Sequence, residues 1–345
     1  GYELPAAAWE PAILAARVKN YDPRWLDQLC FTGRFGWGRL SPPPNQKSNA
    51  FPPLRSSPIS LFSRANAAHW LALAETPRRE FSADTELVLK TLAERGALFF
   101  GEIVRHTGLL KSRVEQALGE LVSQGWVTAD SFEGLRALLT PQEKRARFGD
   151  IGRPRRHRVV TSIEYAGRWS LLRNYQQAVP AQDAGQNVEA VQTFARTLLR
   201  RYGVVFRKLL DREALHVPWF ELGRAYRQME ARGEIRGGHF VSGVSGEQFA
   251  LPEAIGHLRS LRKSEKSRDL ISLSGSDPLN LVGILTPGSR VPALWRNRIL
   301  LRDGVPVAAL EAGKILNLDG DLDSSAAESA LKIGKLPTAL RRYYH

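Results

Sequence analysis

The clearest pattern of apolar and polar positions lies between residues 80 and 140. Leu87, Leu89, Leu92 and Ala93 supply the apolar side of a helix over 85–94, and 96–100 is a short extended piece. A second helix over 101–106 stops at Gly108. Ser112 is placed to cap a third helix running to about Gln124, in which Val114, Leu118, Leu121 and Val122 recur at i, i+4, i+7 and i+8. Gly125 ends it, and 126–130 with 135–139 read as a β-hairpin turning near Glu133-Gly134. Three helices and a hairpin in this order predict a winged helix.

The same order returns at 186–265. A helix carrying Val188, Val191, Phe194, Ala195, Leu198 and Leu199 comes first, and Pro218 opens a later helix over 218–232 with Leu222, Ala225 and Met229 inward. Wing strands at 235–241 and 248–251 follow, then a closing helix from Pro252. Residues 1–40 read as a third, partial copy, with helices at 11–18 and 23–31 before an extended 33–38. A Pro/Ser-rich linker with a strand covers 41–79, and a basic linker with a strand covers 141–185. Over 266–318 the helical period gives way to short alternating runs. Arg298 to Arg302 and Val305 to Leu310 flank Asp303-Gly304, a strong hairpin signal. These short strands predict a small β-barrel module, which strands at 59–62 and 167–172 can join. The tail, 319–345, begins polar and reads as partly disordered. The fold class expected is α+β: tandem winged helices followed by a small barrel.

Charge changes the picture most. The chain carries a net charge of +14, so a polyanion is its natural partner. Residues 141–208 hold 14 Lys/Arg against 5 Asp/Glu. No apolar run is long enough to span a bilayer, and the first residues lack the plan of a signal peptide. Cys30 is the single cysteine, which excludes a disulfide framework or a thiolate zinc site within one chain and fits a reducing cytoplasm. The only Met is Met229, so the sequence reads as part of a longer protein.

Candidate chemistry follows from this frame. The third helix of the central unit presents Lys111, Ser112, Arg113 and Gln116 for a DNA groove, where Arg matches guanine and Gln matches adenine edges. The later unit offers Arg224, Arg227, Gln228 and Arg232 on helix 218–232, with Arg236 and His239 on its wing. Trp219 and Phe220 read as core in preference to a stacking platform. The run Arg153, Arg155, Arg156 and Arg158 suits loose phosphate contact. Asp130 and Glu133 on the central hairpin would repel phosphate, whereas Gly237 and Gly238 would let the later wing approach a backbone closely. Neither Gly313-Lys314 nor Gly334-Lys335 sits in a phosphate-binding loop, so no ATPase chemistry is present. Asp277, before Pro278, is a weak candidate for a base-excision carboxylate and a stronger one for a turn initiator. No metal or cofactor site emerges.

Residues 234–241, Glu-Ile-Arg-Gly-Gly-His-Phe-Val, and 246–254, Gly-Glu-Gln-Phe-Ala-Leu-Pro-Glu-Ala, resemble the large helicase-related (Lhr) family. So do Asp277 to Gly283, Thr286 to Ala293 and Ala309 to Gly313. Further upstream, Pro23-Arg24-Trp25-Leu26-Asp27 agrees in type. The resemblance implies the C-terminal region of a bacterial superfamily 2 helicase or translocase acting in DNA repair. It implies an AlkZ-like arrangement, homo-oligomers with tetramers among them, and a uracil-DNA glycosylase activity. ATP and Mg2+ would belong to motor domains elsewhere in the parent protein. Two other classes stay open: an oligomerisation scaffold for the motor, and a multi-winged-helix transcription regulator.

Overall fold

The computed structural model describes residues 1–42, 53–75, 77, 81–140, 163–173, 184–318, 323–332 and 336–344. The chain divides into two compact units, Gly1–Asp183 with Leu336–His345, and Ala184–Lys335.

The first unit holds two winged helices. In the first, β1 (Glu3–Pro5) leads into a π-helix (Trp9–Leu14), the short α1 (Ala15–Arg17) and α2 (Pro23–Phe31). Asp22 caps α2 by accepting from Arg24 N, and Pro23 takes the first helical position. Strands β2 (Phe35–Gly38) and β3 (Pro58–Ser63) complete an antiparallel sheet of order β1-β3-β2. Thus the strand expected to join a barrel at 59–62 closes this sheet instead, and the unit extends past residue 40. The short α3 (Ala67–Leu73) follows.

The second winged helix comprises α4 (Ala83–Arg95), β4 (Leu98–Phe99), α5 (Phe100–Thr107), α6 (Lys111–Gln124) and β5 (Val127–Ala129). Leu110, not Ser112, holds the cap position of α6. After β5 the expected hairpin fails. Residues Phe132–Leu139 form a helix, α7, and the wing partner is β6 (Arg168–Leu171), giving the order β4-β6-β5. The reason is local: Phe132, Leu135 and Leu139 lie at i, i+3 and i+7, all buried, so a helix buries what a strand would have put on both faces. The strand at 168–171 therefore belongs here and not to a barrel.

The two winged helices are welded. Thr128 donates to the Trp37 carbonyl, and Trp37 donates to the Ser131 carbonyl at 2.9 Å. Trp37 and Trp169, both fully buried, meet edge to face with 6.4 Å between centroids. Buried Arg39 and Arg173 close the end of α6: Arg39 donates to the Ser123 carbonyl, and Arg173 to those of Gly125 and Leu40. Burial pushes the pKa of both arginines down, that of Arg173 to about 10.

The second unit opens with a winged helix of the same topology. It runs α8 (Ala184–Tyr202), β7 (Val204–Val205), a 3-10 turn (Arg207–Arg212), α9 (Trp219–Ala231), β8 (Arg236–Gly238) and β9 (Gln248–Ala250), in sheet order β7-β9-β8. Pro218 sits at the cap of α9, one residue outside it. Buried Glu213 ties the turn to α8 by accepting from Arg201 and Tyr202. After α10 (Pro252–Leu261) comes a four-stranded antiparallel meander of order β10-β11-β12-β13, with β10 Leu270–Ser274, β11 Arg298–Arg302, β12 Val305–Glu311 and β13 Lys314–Asn317. It is an open sheet: no pairing joins β13 back to β10 among the described residues, so the expected closed barrel is not found. Both sheet faces are covered. Leu300, Val307 and Ala308 pack on α11 (Ser324–Leu331), while Ile299 and Ala309 pack on Val282 and Val291 of the preceding loop. Covered this way, the sheet has no need to curl shut. The described residues of the tail, expected to be partly disordered, carry α11 in the second unit and α12 (Thr338–Tyr344) in the first.

Candidate nucleic-acid interface

In all three winged helices one helix leads into the wing: α2, α6 and α9. Each is followed by a glycine with positive φ, Gly33 (+71°), Gly125 (+81°) and Gly233 (+76°), which gives them a common register. Nine residues before these glycines stand Arg24, Gln116 and Arg224, all exposed. Five residues before them stand Gln28 and Gln228, exposed, and Glu120, half-buried. Two of the three helices thus display Arg and Gln one turn apart on an outward face, the pairing suited to guanine and adenine edges. The candidate face on α2 was missed because its unit looked incomplete. Its signal, an Arg-x3-Gln spacing repeated at the same distance from a helix-ending glycine, was present in the sequence.

On α9, the inward face is Leu222, Gly223, Ala225, Tyr226 and Met229, packed through Tyr226 on Phe249 at 5.0 Å between ring centroids. The outward face presents Arg224, Arg227 and Gln228. Among the described residues, Arg227 pairs only with Glu247, in a long, exposed contact at 3.4 Å. Arg232 pairs at 2.6 Å with Glu234, which also receives Arg196, and these two cations hold the Glu234 carboxyl below its usual range. Arg236 and His239 are exposed on the wing. Gly237 N–H donates to Glu230 at 2.8 Å, and a Cβ there would meet that carboxylate.

Phe220 departs from the sequence expectation. Trp219 is half-buried against Tyr226 and Phe249, as a core residue should be. Phe220 is 71% exposed. Leaving such a side chain in water forgoes roughly 1.5–3 kcal/mol of burial. Trp219 takes the core-facing place at the start of α9, and Phe220, about 100° further round the helix, is left outside.

On α6, Lys111, Ser112, Arg113 and Gln116 are all exposed at the start of the helix. Lys111 is engaged by Glu164 and Arg113 lies 3.8 Å from Asp84, so both cations already face carboxylates. Asp130 and Glu133 do not form a repulsive hairpin: Asp130 accepts from Arg168, and Glu133 from Arg136. Arg153, Arg155, Arg156 and Arg158 lie outside the described residues. A further basic stretch escaped notice. At the end of α10 and beyond it, Arg259, Arg262, Lys263, Lys266 and Arg268 are all exposed, with Glu265 the only acid among them.

Asp277 is fully buried. Its carboxylate accepts from Leu279 N at 2.9 Å, the geometry of an Asx turn, and Arg212 donates to its carbonyl. Neighbouring Asn280 donates to the Gly275 and Val291 carbonyls, pinning the loop beneath the sheet.

Two models of the large helicase-related protein winged-helix domain match the chain, that of the fourth such domain over residues 184–270 and that of the third over residues 1–51. The first span covers the last winged helix described above, and the second covers β1 to β2 of the first one, short of β3. This chain belongs to the large helicase-related family. Among curated relatives, it is 31% identical over 337 residues to the Lhr helicase/uracil glycosylase of Escherichia coli (strain K12), covering 92% of this chain and 21% of that protein. It is 28% identical over 375 residues to the Lhr helicase/probable uracil glycosylase of Mycolicibacterium smegmatis, covering 99% and 23%. The chain therefore spans about a fifth of the length of the curated relatives it matches. No described helix is long and apolar enough to cross a membrane.

Proposed function

We propose that this chain is the DNA-binding region of a large helicase-related protein and that the last winged helix is its principal DNA contact. The observation that supports this most is the outward face of α9, where Arg224, Arg227 and Gln228 stand exposed beside the wing residues Arg236 and His239. Among the described residues no carboxylate pairs with Arg224 or Arg236. Such groups position a protein on phosphates and reach base edges. Measuring the DNA affinity of the chain across salt concentrations tests the reading. The binding constant should fall by orders of magnitude between about 50 and 200 mM salt, as counterion release requires. A constant that does not move defeats it.

The parent protein, on this reading, is an ATP-dependent helicase of DNA repair working in the cytoplasm. ATP and Mg2+ belong to motor domains outside this chain, which needs no cofactor of its own. Self-association of the chain, with a tetramer favoured, is part of the same proposal. Light scattering at micromolar concentration should give a multiple of 38.5 kDa, and a monomer defeats that part. The names of both relatives include uracil glycosylase, and uracil release from a labelled oligonucleotide tests whether that activity extends to this chain.

A further inference from the structure

Phe220 carries an inference that rests on the DNA-binding reading of α9 and sharpens it. The ring stands 71% exposed on the first turn of the helix that leads into the wing. Arg224 is one turn further along the same side, and Arg227 lies at i+7 from Phe220. All three point away from the core formed by Leu222, Tyr226 and Met229. An aromatic ring followed by guanidinium groups along one helical stripe has a natural complement: a strand with an apolar, polarisable base face and a phosphate close by. A protein partner would meet the ring equally well, but it would have to bury Arg224 and Arg227 against acids. A polyanion suits the chain's net charge of +14.

We propose that Phe220 is a stacking platform for an unpaired base, so that α9 engages single-stranded nucleic acid or the mouth of a junction rather than continuous duplex. In a duplex the base faces are covered by their neighbours, and a helix in the major groove meets only base edges. A ring at the start of α9 reaches a base face only where the stack is open. Arg224 then holds the adjoining phosphate and Gln228 reaches the base edge. The ring needs no particular base, because every base has a π-face.

The test uses the full chain with a single-stranded oligodeoxynucleotide carrying one 2-aminopurine and with a blunt duplex. Stacking should quench the 2-aminopurine when the wild-type chain binds. Phe220→Ala should weaken single-strand binding about ten-fold and abolish the quench, with duplex affinity changed less than about two-fold; Phe220→Trp should restore both. The ring is exposed, so thermal unfolding should not move. If Phe220→Ala weakens both substrates equally, or acts only on thymine-rich duplex by losing a methyl contact, the stacking assignment is overturned. A lower molecular mass for Phe220→Ala also overturns it, since the ring would then cover another copy of the chain. If Phe220→Ala does nothing while Arg224→Ala weakens binding, stacking fails and the phosphate reading of α9 stands. If neither variant matters, α9 is not the contact.

Discussion

Arg136 is the most heavily committed side chain of the first unit. It is fully buried and donates to Glu10 through Nε and Nη2, to Asp27 at 2.6 Å, to Glu133 at 2.9 Å and to the Pro23 carbonyl. Tyr21 and Tyr344 donate to Glu10, and Tyr343 donates to Glu133, so the last helix is pinned to the same cluster. Three carboxylates share one guanidinium. Burial pushes the Asp27 and Glu133 carboxyls above the usual range, and the attraction of Arg136 offsets this only in part. Arg136→Ala would strand buried acids without a counter-charge and should cost about 3–5 kcal/mol, read as a lowered denaturant midpoint. The pH dependence has a definite sign. A carboxyl whose folded pKa is raised binds more protons folded than unfolded, so its contribution is present below the ordinary carboxylate pKa and is lost as pH rises through the folded value. Subtracting the pH–stability curve of Asp27→Asn from that of the wild-type chain should therefore leave a contribution that declines from about pH 4 towards neutrality. A rising or flat difference would show that Asp27 is not held this way. None of this was legible in the sequence, where Arg136 sat in an apparent strand. Its partners Glu10 and Asp27 lie 126 and 109 residues away, beyond any local pattern.

At the scale of elements, most helices and the pairings of sequence neighbours such as β11 with β12 were legible, whereas α7 and the distant pairings were not. The period of Val114, Leu118, Leu121 and Val122 located α6, and Leu222, Ala225 and Met229 located α9, because a helix closes its hydrogen bonds within itself. The wing strand β6 lies some 40 residues beyond β5, and no local signal connects Val127 with Leu171. Whether four short strands close into a barrel is likewise decided by what covers their faces. The glycines that end α2 and α6 separate conformation from space. Both have positive φ, but a Cβ at Gly33 would meet nothing within 4 Å, whereas one at Gly125 would lie 2.7 Å from the Arg39 carbonyl oxygen. Gly33→Ala should cost about 1 kcal/mol through conformation alone, and Gly125→Ala clearly more, with loss of the Arg39–Arg173 seam. Equal costs in denaturant titrations would mean the seam yields freely. The helices proposed to face DNA differ in the same testable way. Lys111 and Arg113 already face Glu164 and Asp84, so releasing them for phosphate costs what those contacts gave. Arg224→Ala with Arg227→Ala should weaken binding and flatten the salt slope by about two, and Lys111→Ala with Arg113→Ala should do less. The reverse ranking, with folding intact by circular dichroism, would move the principal contact to α6.

At the scale of the whole molecule, one chain carries two separate units, each with a helix that displays Arg and Gln outward: α2 with Arg24 and Gln28, and α9 with Arg224 and Gln228. Arg24 is less available, since Asp22 holds its guanidinium through both carboxylate oxygens at 2.6–3.1 Å in a pair that is itself exposed. Alone, then, the first unit should bind weakly and the second more tightly. Joined, they should not simply add. Once α9 has engaged, α2 meets the same strand at an effective concentration set by the connection between the units, and avidity of this kind can exceed single-site affinity by about 10²–10⁴. The consequence is a dependence on length. Affinity measured on oligonucleotides of increasing length should rise gradually while only one unit finds a site, then step upward at the length that lets both engage, and then level. Arg24→Ala with Gln28→Ala should remove the step and leave short-oligonucleotide affinity unchanged, because α9 carries that part. Arg224→Ala with Arg227→Ala should lower the whole curve. The steep salt dependence should steepen further past the step, as each added phosphate contact releases its own counterion. A smooth curve with no step, unaffected by the α2 variant, would mean that the first unit serves as structure alone and that the repeated Arg-x3-Gln register has no part in binding.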